Sequence, residues 1–302
     1  MATTYSMNLV KLVAKYGSED KCRAFLEALR WPNGVTCPRC KSPSVSRLHK
    51  RGQFDCDKCR YHFSATSGTM MHDTKIPLWK WFLAVYMIVE SKKGISANQL
   101  KRTLEVSYRT AWYLCHRIRK ALETPDSFLR GVVEVDETWV GGQTHGPAKR
   151  DNKKNKTLII GAVARGGEVR LKSDPVRGAR PSSKRLGEFV RANIAGDATV
   201  YTDDHRSYPG IFRARGQSHD TVAHKNKVWV KGDVHTNGIE GAWSLFKRSV
   251  VGSYHQLSCK HLPAYLDEFE FRFNNRDNKD IFTAAMREVV QAEHLEYRKL
   301  VA

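Results

Sequence analysis

Long apolar runs are lacking in this chain. The longest, Trp81 to Val89, falls far short of the ~20 residues that a membrane-spanning helix needs. The N-terminus has no basic segment leading into an apolar one, so export is not expected. Internal repeats and low-complexity stretches are lacking too, which leaves no ground for a repeat architecture. Acidic residues are scarce: 31 Asp and Glu stand against 51 Lys and Arg, a net charge of +20 and a pI near 9.7. So cationic a chain is expected to meet a polyanion, with nucleic acid the leading candidate. A membrane surface is the competitor, but no long basic amphipathic helix stands out, and no membrane partner is expected. Cysteine is not arranged as a disulfide framework. Four of the seven lie in two Cys-x-x-Cys pairs, while Cys22, Cys115 and Cys259 are isolated. That usage suits a reducing compartment and a metal, and a cytoplasmic location is expected.

What is present begins with size: 302 residues, 41% of them hydrophobic, can bury a core and hold more than one domain. Residues 1–30 read as short amphipathic helices, with Leu9, Leu12, Val13 and Tyr16 on one face and Phe25, Leu26 and Leu29 on another. In 31–65, Cys37-Pro-Arg-Cys40 and Cys56-Asp-Lys-Cys59 form two knuckles that can wrap four thiolates around one structural Zn²⁺. The segment between them reads as a hairpin turning at Lys50-Arg51-Gly52, which makes a zinc ribbon. Its cationic residues, Arg47, Lys50 and Arg51 among them, point to phosphate contact, although many ribbons serve only protein contacts.

Residues 74–124 read as helical. Ile76 to Val89 is apolar nearly all round and suits a buried support helix. Ser96 and Ser107 are plausible N-caps of two short helices joined at Glu105-Val106, the pattern of a helix-turn-helix. The second helix would lay Tyr108, Arg109, Trp112 and His116 in a groove of DNA, with Arg117, Arg119 and Lys120 near phosphates. The competing role is packing, since Ala111, Leu114, Ile118 and Leu122 make a core stripe.

From 128 to 275 strands and helices alternate. Gly131 to Gly142 reads as a strand with Val133 and Val135 on one face and Glu134 and Asp136 on the other. A carboxylate there is costly to bury unless something positive holds it. Asp136 is therefore either a solvent-facing or Lys-paired acid, or a metal ligand. A hairpin follows (Thr157 to Ala164, Glu168 to Ser173), then a helix (Ser183 to Ile194) and a strand, Ala198 to Asp204, with acid at its end. Three antiparallel strands, a helix and a strand beside the first is the ribonuclease H-like order, in which Asp136 and Asp203 would face a common point. On a helix from His235 to Arg248, Glu240, Ser244 and Lys247 share one face, and Ile239, Ala242, Trp243 and Phe246 form the neighbouring apolar stripe. Asn237 three residues before Glu240 also fits a capping box, so Glu240 could simply cap its helix. Further on, Leu262, Leu266, Phe269 and Phe273 are the expected core stripe of a helix whose acids are expected in solvent. The segment 276–302 is expected as a last helix, packed on the catalytic domain or reaching a second protomer.

Val-Asp-Glu-Thr-Trp-Val-Gly-Gly142, Tyr-Thr-Asp203 and His-Thr-Asn-Gly-Ile-Glu-Gly-Ala-Trp-Ser-Leu-Phe-Lys-Arg248 together resemble the DDE transposases of bacterial insertion sequences, the group with an N-terminal zinc ribbon related to Merlin transposons. The likeness runs from the ribbon through Asn275. It implies an α+β multidomain protein with a ribonuclease H-like catalytic domain. It also implies two Mg²⁺ (or Mn²⁺) ions per site, and DNA partners that are the terminal inverted repeats and the target. Assembly as a dimer or higher oligomer on that DNA, in a bacterial nucleoid, follows from the same likeness. Carried over by motif, Asp136, Asp203 and Glu240 are the catalytic and magnesium-binding acids, and Lys247 is the catalytic basic residue that follows the third; nearby Arg248 is expected at a DNA phosphate. Two departures keep secondary candidates open: Asp204 directly follows Asp203, and some relatives use an Asn as third acid, which brings in Asn237. A ribonuclease H-like nuclease or resolvase without transposition, and a domesticated DNA-binding regulator without catalysis, are the other readings.

Overall fold

The computed structural model describes residues 7–48, 52–124, 127–141, 155–222, 230 and 232–302. By its contacts the chain divides into two compact units, Met1–Glu123 with Arg276–Ala302, and Thr124–Asn275.

The first unit starts with α1 (Leu9–Tyr16) and α2 (Glu19–Arg30), capped by the side chains of Asn8 and Ser18. The ribbon follows as an antiparallel sheet of β1 (Val45–Leu48), β2 (Gln53–Cys56) and β3 (His62–Phe63) in that order. Its turn at Lys50-Arg51 lies outside the described residues. The two-residue β3 is too short to show as an alternating pattern. Beneath the sheet, Trp31, Phe54 and Phe63 pack ring to ring with centroids 5.5–5.8 Å apart. Helix α3 (Leu78–Glu90) is buried on most of its surface, as an all-round apolar segment requires. The hydroxyls of Ser96 and Ser107 each accept a backbone N–H at 3.1 Å and so start α4 (Ala97–Leu104) and α5 (Tyr108–Ala121). Between these helices Glu105 takes a left-handed φ of 51° and donates its N–H to the Lys101 carbonyl.

The second unit is built on a five-stranded sheet in the order β6-β5-β4-β7-β8. Its strands are β4 (Val132–Gly141), β5 (Lys156–Ala164), β6 (Val169–Ser173), β7 (Thr199–Asp203) and β8 (His219–Val222). Strands β4, β5 and β6 pair antiparallel, whereas β4–β7 and β7–β8 pair parallel. One face packs Val133, Val135 and Val200 against α6 (Ser183–Asn193) and α7 (Tyr208–Arg215). The other packs Val140, Ile159 and Val163 against α8 (Asn237–Ser249) and α9 (Leu262–Asn274). A π-helical turn, Val250–Tyr254, continues α8. Both α7 and β8 are new relative to the sequence reading. The helix opens on Tyr-Pro-Gly and the strand is His-Asp-Thr-Val, so neither carries an apolar period.

The acids of α9 are not solvated as expected. Glu268 and Glu270 are buried; Glu268 accepts from Tyr254 Oη at 2.6 Å, and Glu270 accepts the Leu171 N–H. Four residues on from Glu270, Asn274 Oδ1 accepts the Val169 N–H at 2.8 Å. One helix face thus pairs two backbone donors of the edge strand β6, which hides an edge that would otherwise template aggregation. Residues 276–302 also depart from expectation. They form two helices, α10 (Ile281–Gln291) and α11 (Tyr297–Val301), and belong to the first unit rather than to the second. Phe282 explains this: its ring lies 5.8, 6.4 and 5.9 Å from those of Tyr16, Phe25 and Phe82, completing an aromatic core. Among the described residues no helix is long and apolar enough to cross a membrane.

Candidate functional site

Strand alternation decides what Asp136 faces. Val133 and Val135 point to the α6–α7 side, so Glu134, Asp136 and Thr138 point to the α8 side. The parallel register with β7 pairs Val135 with Thr202, so one step further Asp136 stands beside Asp203 on the same face. Asp204 is past the strand end. The Asp203 carboxylate accepts the His205 N–H at 3.0 Å. Burial pushes the Asp136 carboxyl up to about 7, and the charges of Glu137 and Asp203 push the same way. Trp243 on α8 opposes them by donating its indole N–H to Asp136 Oδ2 at 3.0 Å.

That indole can reach the strand because residue 161, opposite Asp136 on β5, is glycine. A Cβ there would lie 2.5 Å from the Trp243 ring. At the start of α8 the same device recurs, since a Cβ on Gly238 would lie 2.8 Å from Glu134 Oε2. Glu134 is fully buried, and its Oε2 accepts the N–H groups of Gly238 and Ile239 at 2.6 and 3.1 Å. Its Oε1 accepts from Arg165 Nε at 2.9 Å and lies 3.2 Å from His235 Nδ1, close but not aligned for a hydrogen bond. Glu134 carries no assigned role in the sequence, although a carboxylate in this strand is costly to bury. The Glu-x-Asp spacing, which puts both acids on one buried face, was the available signal.

Glu240, Trp243, Ser244, Lys247, Arg248 and Val251 line one wall of a cavity of about 640 Å³, and Asp136, Glu137 and Thr138 line the other. The expected polar face of α8 is therefore the cavity wall, and its apolar stripe is the buried side. Neither Asp203 nor Asp204 lines this cavity, and Asn237 is exposed at the first position of α8. Glu240 Oε1 accepts the hydroxyl of Thr236 at 2.9 Å. Thr236, not Asn237, is the N-cap residue, and its side chain accepts no backbone N–H, so the expected capping box does not form. The structure thus joins Asp136 to Asp203 and Asp136 to Glu240 across the cavity. It does not draw the three carboxylates into one tight cluster: among the described residues only the four ribbon cysteines form a group of three or more possible ligands within 4.8 Å of one another.

Those cysteines are close enough for one ion. Cys37 and Cys59 Sγ lie 3.7 Å apart and Cys40 and Cys56 Sγ 3.5 Å, against the roughly 3.8 Å edge of a tetrahedron with Zn–S of about 2.3 Å. The residues expected at DNA divide. Tyr108, Arg109 and Lys120 are exposed on α5, and Trp112 is half-buried. His116, Arg117 and Arg119 are inside the fold, at 1, 5 and 1% exposure. Arg117 is held over the rings of Trp81 and Tyr113 and donates to the His72 carbonyl at 2.9 Å, so it serves the core, not a groove. On the ribbon, Arg47 is exposed but ion-paired with Glu27; Lys50 and Arg51 lie outside the described residues.

Comparison with known proteins shows the family. Residues 128–274 match the model of an ISXO2-like transposase domain, and residues 17–62 that of a transposase zinc-ribbon domain. A protein of the transposable element ISH50 of Halobacterium salinarum is 30% identical over 274 residues, covering 86% of this chain and 92% of that protein. A transposase-like protein of Haemophilus influenzae is 31% identical over 97 residues, covering 32% of this chain and 76% of its own length. Among solved structures, a chain of the simian T-cell lymphotropic virus intasome bound to PP2A regulatory subunit B56 gamma is 12% identical and covers 63% of this chain and 65% of its own. Its TM-score of 0.31 is too low to bear on fold or function.

Proposed function

The chain belongs to the ISXO2-like transposases with an N-terminal zinc ribbon, and from that membership we propose that it cuts and joins DNA at the ends of its insertion sequence. The observation that carries this reading is the adjacency of Asp136 and Asp203 on one sheet face, beneath a helix that presents Glu240 and Lys247 to the same cavity. The strand order, with the first strand central between antiparallel and parallel neighbours, supports a ribonuclease H-like sheet.

The donor set fits magnesium or manganese. It offers hard carboxylate oxygens, and Asp136 is disfavoured as an anion by burial and two like charges, which a bound cation would relieve. Two such ions, when bound by Asp136, Asp203 and Glu240, would activate the attacking water or 3′-hydroxyl and stabilise the leaving oxygen. The chain's own residues supply the rest. Trp243 fixes the orientation of the Asp136 carboxylate, and Glu240, released from Thr236, would complete the set. Asp203 serves rather than Asp204, because only Asp203 shares the face. Lys247 and Arg248 on the cavity wall neutralise the scissile or flanking phosphate. One site then serves both cleavage and strand transfer, since only the nucleophile differs.

Cys37, Cys40, Cys56 and Cys59 hold one structural Zn²⁺. The ribbon and the α4–α5 pair, read as a helix-turn-helix, take the terminal inverted repeats through Tyr108, Arg109 and Lys120, in a complex of two or more protomers. The test uses the full chain, DNA carrying the element's ends, and Mg²⁺. Asp136→Asn should bind end DNA as the parent does and lose cleavage and joining by at least about 10³-fold, a loss of about 4 kcal/mol in transition-state stabilisation. Retained strand transfer refutes the site. Cleavage without joining by the parent protein assigns a nuclease instead.

A further inference from the structure

We propose that Glu134 is a positioning residue, which fixes where α8 begins on the sheet and hence where Glu240, Trp243 and Lys247 stand relative to Asp136; this rests on the acidic site described above. The first N–H groups of a helix have no partner within it, and the helix dipole favours an anion beside them. Glu134 supplies that anion from β4, two residues before Asp136 on the same face, by accepting from Gly238 and Ile239. The next residue of the helix is Glu240, and the Asp136–Trp243 bond closes one turn later. Two points on one strand therefore hold two points on one helix, and the cavity-lining face is set between them.

The other elements of the sheet meet at the same carboxylate. Arg165 follows directly on β5, binds Glu134 Oε1, donates to the His235 carbonyl at 3.2 Å, and lies 4.9 Å over the ring of Tyr201 on β7. Tyr201 is itself the register partner of Glu134. With Oε2 taken by two backbone donors and Oε1 by Arg165, Glu134 has protein partners at both oxygens and is not a fourth acid of the site. A buried carboxylate needs this compensation. Gly238 shows that the approach is tight, since any side chain there would meet Glu134 Oε2 at 2.8 Å and Val163 Cγ1 at 3.1 Å.

The test compares Glu134→Gln, Glu134→Asp and Asp136→Asn with the parent full-length protein, well below the melting temperature of each. Glu134→Gln keeps an oxygen for the helix N-terminus but loses the charge that holds Arg165. Cleavage at saturating DNA should fall about 10–100-fold, the usual effect of losing a residue that orients metal ligands. The Mg²⁺ concentration for half-maximal cleavage should rise, with affinity for end DNA and zinc content unchanged. Glu134→Asp should fall between Gln and the parent. The proposal is overturned if Glu134→Gln cleaves at the parental rate with parental Mg²⁺ dependence, or if its deficit vanishes on cooling, the mark of a merely structural role. If Asp136→Asn remains active, the acidic site itself fails, whatever the Glu134 variants do. If Asp136→Asn is inactive and Glu134→Gln is normal, only the positioning role fails.

Discussion

The ribbon and the acidic site solve similar problems by opposite means. Each must bring like-charged or charge-prone ligands together. In the ribbon, two Cys-x-x-Cys turns on adjoining hairpins place four sulfurs within 4.8 Å using little beyond their own backbone. In the second unit the acids come from β4, β7 and α8, far apart in sequence, and only Asp136 and Asp203 are brought side by side by strand pairing. Glu240 depends on how α8 is seated, which two glycines, one indole and one buried glutamate decide. A ligand cluster built from local turns is therefore self-contained. A side-chain cluster built across a sheet inherits every tolerance of the packing beneath it.

That contrast can be broken first at the ribbon. Cys37→Ser or Cys56→Ser should abolish zinc retention, because structural zinc supplies about 10–16 kcal/mol to small domains of this type. Metal analysis should find no bound zinc, while the unfolding transition of the second unit is unchanged. Loss of both would mean that the units are not independent.

The acidic site should show itself next through pH. Asp136 and Glu270 have carboxyls raised by burial to about 7 and about 8, against ordinary values of 3.8 and 4.5. A raised carboxyl favours the protonated folded form. Their contribution is thus fully present below about pH 4 and is lost as pH rises through 7 and 8, at up to about 1.4 kcal/mol per pH unit for each. In EDTA the second unit's melting temperature should fall between pH 5 and 8, and added Mg²⁺ should restore part of it at pH 8. An Mg²⁺-insensitive profile would detach Asp136 from metal binding.

The mildest test addresses the seat of α8. Gly161→Ala puts a methyl 2.5 Å from the Trp243 ring and 2.7 Å from Leu171 Cδ2. Overpacking of this kind costs about 1–3 kcal/mol. Denaturant unfolding should show that loss in the second unit alone, with zinc content untouched. An unchanged midpoint would mean that the indole has room to shift.

The zinc ligands, the capped α4–α5 pair and the strand carrying Asp136 were all legible in the sequence, because spacing, N-caps and alternation act over a few residues. Their partners were not. Arg117 and Arg119 look like phosphate-binding residues in sequence, yet lie inside the fold; for Arg117, Trp81 and Tyr113 supply π faces that no local pattern announces. Glu268 and Glu270 look solvated, yet they meet Tyr254 and the β6 edge. The sequence by itself determined which residue types are available and which face of each strand or helix they occupy, since those follow from periods of 2 and 3.6. Only the tertiary structure decided which faces meet. Burying a carboxylate such as Glu134 depends on donors from α8 and Arg165, and their positions are set by packing, not by distance along the chain.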